Sequence, residues 1–112
     1  MDRKTILEKF GGRCAYCGMS LDIKTMQVDH IEPRRKGGLD YEENYNPSCR
    51  SCNATKSTYT IKEFRQRLMD DVTRLRRDSS KYRILERFGI LAQKKYRLVF
   101  YFEEYKFINR VW

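Results

Sequence analysis

The chain has 112 residues, a formal net charge of +9 at pH 7 and a sequence pI of about 9.6, with 40% hydrophobic and 35% charged residues. That length accommodates one compact domain, or a motif-bearing half with an extension packed on it, and excludes two full domains; the composition is globular rather than disordered. No stretch is apolar for long enough to span a membrane and the charged start MDRKTILEKFGG is no signal peptide, so a soluble, cytoplasmic protein is expected, with a polyanion ahead of a membrane as partner.

Residues 1 to 49 carry 8 Lys+Arg against 8 Asp+Glu, so the whole excess, 16 against 7, falls in residues 50 to 112. In chain order, Asp2 can cap a short helix whose residues Ile6, Leu7 and Phe10 share a face and which Gly11-Gly12 ends. CAYCG then forms a knuckle. Met26 to Ile31 alternates loosely and contains β-branched residues, which predicts a short strand stopped by Pro33. RRKGGLDYEENYNP reads as a loop turning at Gly37-Gly38, and CRSCNATKS starts a short helix.

Thr60 and Glu63 have the spacing of a capping box, and Ile61, Phe64, Leu68, Val72 and Leu75 recur at helical spacing to about Arg77. A second helix follows from Ser80 to Phe88 and ends at Gly89. The tail YRLVFYFEEYKFINRVW is aromatic and β-prone, which predicts a strand or a hairpin broken near Glu103 and Glu104. The organisation expected is a core over 1–58 with a basic helical and β extension over 59–112.

Cys14 and Cys17 form one C-x-x-C, and Cys49 and Cys52 form another. Two such pairs offer the four soft thiolates that a closed, structural Zn²⁺ site takes, and the long segment between them becomes an insertion clamped at its base. A disulfide or redox pair is the alternative, which the absence of a secretory or thioredoxin-like context disfavours. His30, the chain's one histidine, lies inside the clamped segment and is not needed as a zinc ligand.

The stretch DHIEPRRKGGLDYEENYNPSCRSCNATK resembles the HNH endonuclease motif: Asp29-His30 at a strand end, Asn44 three residues before Pro47, then Asn53 after the last cysteine with Lys56 following. The resemblance spans Cys14 to about Lys56, with Asn at the third position of the motif. It implies an α+β fold, a zinc-clamped ββα-metal core, to which the C-terminal helices and the short aromatic strand or hairpin would be added. It implies that His30 is the general base, a role that suits an imidazole because its ordinary pKa of about 6.5 lies near working pH. Asn44 would assist by holding the loop or the ring. Asp29 and Asn53 would coordinate Mg²⁺ or another divalent cation such as Mn²⁺, which takes oxygen ligands.

Arg34, Arg35, Lys36, Arg50 and Lys56 are candidates for gripping phosphates of DNA. The later arginines, Arg65, Arg67, Arg74, Arg76 and Arg77, cannot all lie on one helix face. The activity implied is hydrolysis of DNA phosphodiester bonds. One active site nicks, and a double-strand cut needs a homodimer or another protein partner, in a phage packaging, restriction or mobile-element setting of a bacterium or phage. Two other readings use the same residues. A catalytically silent zinc module would only bind nucleic acid or a partner protein, and a zinc nucleobase deaminase would use His30-Ile31-Glu32 with the second C-x-x-C, making Glu32 its essential acid/base.

Overall fold

The computed structural model describes residues 1–91 and 98–108. Its internal contacts divide the chain into two units, Met1–Ile61 together with the chain from Val99 onward, and Lys62–Leu98. The sequence groups the segment after Val99 with the extension, whereas its contacts are with the N-terminal half.

The first unit opens with α1 (Arg3–Glu8), whose N-cap Asp2 accepts from the Lys4 backbone N–H at 3.0 Å and from the Thr5 hydroxyl at 2.8 Å. Ile6 of α1, Met26 and Tyr45 form a small apolar cluster, with Leu7, Leu21 and Val28 against it. Arg3 ties α1 across this cluster by donating to the carbonyls of Ile23 and Met26, at 2.7 and 2.8 Å.

Strand β1 (Gln27–His30) pairs antiparallel with β2 (Tyr45–Ser48) in the register Gln27↔Ser48, Val28↔Pro47, Asp29↔Asn46 and His30↔Tyr45. The second strand lies where the sequence reads as the end of a loop, because Pro47 argues against a ladder. The sheet has only two strands, and the Pro47 carbonyl points to its free edge, accepting from the Ala15 N–H at 2.9 Å. The proline nitrogen shares that edge, so no ladder bond is lost.

Between the strands, the chain makes two 3-10 turns, Arg34–Lys36 and Glu42–Asn44. A Cβ at Gly38 would stand 1.7 Å from the Glu32 carbonyl oxygen, so only glycine lets the loop fold back this closely. Helix α2 (Arg50–Lys56) follows β2 directly, capped at its N-terminus by the Cys49 sulfur, which accepts from the Cys52 N–H at 3.3 Å.

The second unit holds α3 (Ile61–Asp78), less its first residue, and α4 (Ser80–Arg87). Ser79 caps α4 through the Tyr82 N–H at 3.1 Å. Arg83 donates to the carbonyls of Arg76 and Arg77 at 2.7 and 3.0 Å, where the α3 dipole favours a cation. Arg76 meets the buried Glu86 at 2.9 Å.

The aromatic tail is a helix, α5 (Tyr101–Ile108), and not the strand or hairpin that its β-prone composition predicts. Residues 96–97 and 109–112 of that tail lie outside the described residues. Tertiary bonds override local preference here. The Glu103 carboxylate reaches back to accept from the Phe100 N–H at 2.9 Å, half of a capping box. The next two N–H groups, which a helix start leaves without internal partners, donate to the knuckle: Tyr101 to the Tyr16 carbonyl at 3.1 Å and Phe102 to that of Ala15 at 2.7 Å.

Phe100, 2% exposed, stands edge-on to Tyr16 with ring centroids 5.4 Å apart, and Phe10 meets Tyr105 at 5.4 Å. Phe100→Ala should therefore destabilise the first unit by about 3 kcal/mol in urea denaturation. A loss below about 1 kcal/mol would mean that the tail merely rests on the knuckle.

Candidate active site

The four cysteine sulfurs all lie within 4.8 Å of one another, with Cys17 and Cys49 at 3.8 Å. Tetrahedral zinc with Zn–S bonds of about 2.3 Å needs sulfurs about 3.8 Å apart, so this donor set fits zinc. Backbone N–H groups of Tyr16 and Cys49 donate to the Cys14 sulfur at 3.4 and 3.3 Å. The Cys52 thiol, together with these donors, draws Cys14 down to about 4, while the same contact and burial push Cys52 up. His30 is outside the cluster, so the His-plus-cysteine zinc centre of a deaminase is not assembled here.

Asp29, His30 and Asn53 line one cavity of about 260 Å³, together with Arg34, Arg35 and Ser57. Neighbours in a regular strand point to opposite faces, yet Asp29 and His30 both reach this cavity because β1 ends at His30. The Asp29 side chain is buried, at 4% exposure. Burial raises its pKa above the ordinary carboxylate value, against the lowering effect of the Tyr16 hydroxyl and the Lys56 ammonium. Asn53 enters from α2, and its side-chain amide makes no hydrogen bond among the described residues.

His30 Nε2 lies 2.8 Å from the Asp40 Oδ1, and Arg34 meets the same carboxylate at 3.0 and 3.1 Å. The bonds from His30 and Arg34 hold the Asp40 carboxyl below its usual range. An ionised carboxylate only accepts, so Nε2 is the donor in this contact, and in the neutral ring that tautomer leaves the lone pair on Nδ1. The Tyr45 ring stands edge-on to the imidazole, centroids 5.1 Å apart. Asp40 is a site residue that sequence reasoning missed, since a lone carboxylate in a loop carries no spacing signal.

Asn44 does not line the cavity, and among the described residues its side chain makes no hydrogen bond to the imidazole. Its side chain accepts from the Glu32 N–H at 2.9 Å and donates to the carbonyls of Glu32 and Leu39 at 3.0 and 2.9 Å, clamping the loop that delivers Asp40. All three bonds go to loop backbone, and none goes to Asp29, His30 or Asn53.

Lys56 corrects its sequence assignment. It is fully buried, and its Nζ donates to the Asp29 Oδ1 at 3.2 Å and to the His30 carbonyl at 2.8 Å, so it cannot grip an external phosphate. As the last residue of α2, it points back at β1, and nothing in the sequence separates an inward lysine from an outward one. Arg34, Arg35, Lys36 and Arg50 are exposed. Arg34 and Arg35 border the cavity, Lys36 stands over the Tyr59 ring at 5.9 Å, and Arg50 is outside the cavity lining.

Residues 14–58 match the HNH endonuclease family. This segment is an HNH domain. Among solved structures, the type II-C Cas9 enzyme from Actinomyces naeslundii is similar at 34% identity and a TM-score of 0.53, over 57% of this chain and 7% of that one. The search of curated proteins gave no match. No helix among the described residues is long and apolar enough to cross a membrane.

Two outcomes follow. Cys49→Ser should lower the bound zinc measured by elemental analysis and melt the first unit by circular dichroism, since metal binding and folding are one equilibrium in so small a core. Lys56→Met should cost about 3–5 kcal/mol in chemical denaturation, because it strands a buried carboxylate. Unchanged stability with weakened DNA binding would return Lys56 to the phosphate-gripping group.

Proposed function

We propose that the HNH domain is a metal-dependent nuclease that hydrolyses DNA phosphodiester bonds, with His30 as the general base. The observation that carries this reading is the convergence of Asp29, His30 and Asn53 on one cavity, with the imidazole anchored by Asp40 through Nε2. Nδ1 would take a proton from water as the water oxygen bonds to phosphorus and the bond to the 3′ oxygen breaks.

Asp29 and Asn53 would hold the divalent ion, Mg²⁺ or Mn²⁺. A carboxylate has about four lone-pair sites, so the two hydrogen bonds already made by Asp29 leave room, and the Asn53 amide oxygen completes a hard donor set. When bound, the ion supplies charge stabilisation at the phosphate and the departing oxygen. Arg35, exposed at the cavity, would bind a flanking phosphate. Arg34 would first exchange its pairing with Asp40 for one with DNA.

One such site cuts one strand per encounter. Double-strand cleavage would need a second copy or a partner.

In a supercoiled plasmid assay with Mg²⁺ or Mn²⁺, His30→Ala should lower nicking by about 10²–10⁴-fold at matched DNA binding. Glu32→Ala should nick like the wild type, because only the Glu32 backbone enters the loop clamp. Nicking by His30→Ala at the wild-type rate would sink the assignment.

A further inference from the structure

We propose that Tyr16, inside the first cysteine knuckle, is a positioning residue for Asp29, and that the Asn46–Tyr16–Asp29 chain fixes how this carboxylate presents itself to a divalent ion. The inference rests on the reading of Asp29 as a ligand to that ion.

The geometry that carries it is a buried line of three side chains. Tyr16 is 4% exposed, and its hydroxyl donates to the Asp29 Oδ2. The Asn46 Nδ2 donates to the Tyr16 oxygen at 3.3 Å, which leaves the phenolic proton for Asp29. Asn46 sits directly opposite Asp29 in the ladder, so both ends of the line are fixed by the same strand pair.

The ring itself is immobilised. Phe100 and Phe102 stand edge-on to it with centroids at 5.4 and 6.1 Å, and the Tyr16 carbonyl accepts from the first residue of α5. On either side of it, Cys14 and Cys17 belong to the thiolate cluster. A phenol ionises only at about pH 10, so it remains a donor at working pH.

Lys56 engages the other oxygen, Oδ1. Asp29 therefore cannot rotate about its side chain without breaking a bond on each side. Lys56 supplies charge, and either a lysine or a metal can do that. Tyr16 supplies orientation, which no ion in the cavity would replace. Hydrogen bonds to a ligating carboxylate typically contribute 10–100-fold to metal affinity or activity.

The test uses the full zinc-loaded chain and reads Mn²⁺ binding by the electron paramagnetic resonance of free Mn²⁺, alongside zinc content. Tyr16→Phe should keep its zinc and bind Mn²⁺ about 10-fold more weakly or worse, and in an Asp29→Asn background it should have no further effect. Mn²⁺ affinity within about twofold of the wild type in Tyr16→Phe, while Asp29→Asn abolishes binding, would overturn the role of Tyr16 and leave the Asp29 assignment standing. Mn²⁺ binding that survives Asp29→Asn would overturn both.

Should Tyr16→Phe lose its zinc or its fold, Asn46→Ser decides by breaking the chain at its far end. A drop of about threefold or more in Mn²⁺ affinity supports the proposal, and unchanged affinity overturns it.

Discussion

Lys56 carries a charge into the interior, and most of what the first unit does depends on where that charge ends. Its ammonium joins the last turn of α2 to two successive residues of β1, through the Asp29 carboxylate and the His30 carbonyl. A buried pair of this kind is a poor source of stability, because desolvation of both ions offsets most of the attraction. What it imposes is position. Asn53 lies one turn before Lys56 on the same helix, so fixing Lys56 against β1 also fixes the relation of Asn53 to Asp29.

The buried apolar residues of the first unit, among them Ile6, Phe10, Tyr16, Met26, Tyr45 and Phe100, make a small core for holding such a cross-tie, and small cores lean on a staple. The cysteine clamp makes up the difference by joining the knuckle at 14–17 to the start of α2, and the Pro47 carbonyl joins the same knuckle to β2. Tyr16 then projects from the knuckle onto Asp29. The cysteine cluster and the candidate catalytic carboxylate are thereby separated by one side chain, which makes disturbance of the cysteines a disturbance of the cavity.

The sequence made the motif-bearing half legible because its signals are chemical and spaced: the paired cysteines, the Asp-His at a strand end, the asparagine after the last cysteine. Helical periodicity located α3 and α4 for the same kind of reason. It failed at the tail, where aromatic residues report β preference while the helix is decided by Glu103 capping its own start and by carbonyls 85 residues earlier in the chain, as from Tyr16 to Tyr101. Asp40 and Lys56 were misjudged or missed on similar grounds. A loop aspartate and a helical lysine acquire their roles from what folds against them, and neither residue type announces whether it points inward.

The charge balance also changes meaning once the partners are known. All of the net +9 falls after residue 49, which reads as a surface for a polyanion. Yet Arg67 and Arg74 pair with Asp71, Arg76 with Glu86 and Arg77 with Asp78, while Arg83 caps the end of α3. Five of those basic residues are thus engaged within the helical unit itself. Exposed pairs are weak, about 0–1 kcal/mol each, so a phosphate can compete for the arginines among them, but only by releasing their carboxylates beside the bound strand. Arg35 and Arg50, exposed on the HNH domain and without an ion-pair partner among the described residues, face no such exchange. A count of charges along the sequence therefore does not by itself say which cations are open to a polyanion, since pairing within the fold decides that residue by residue.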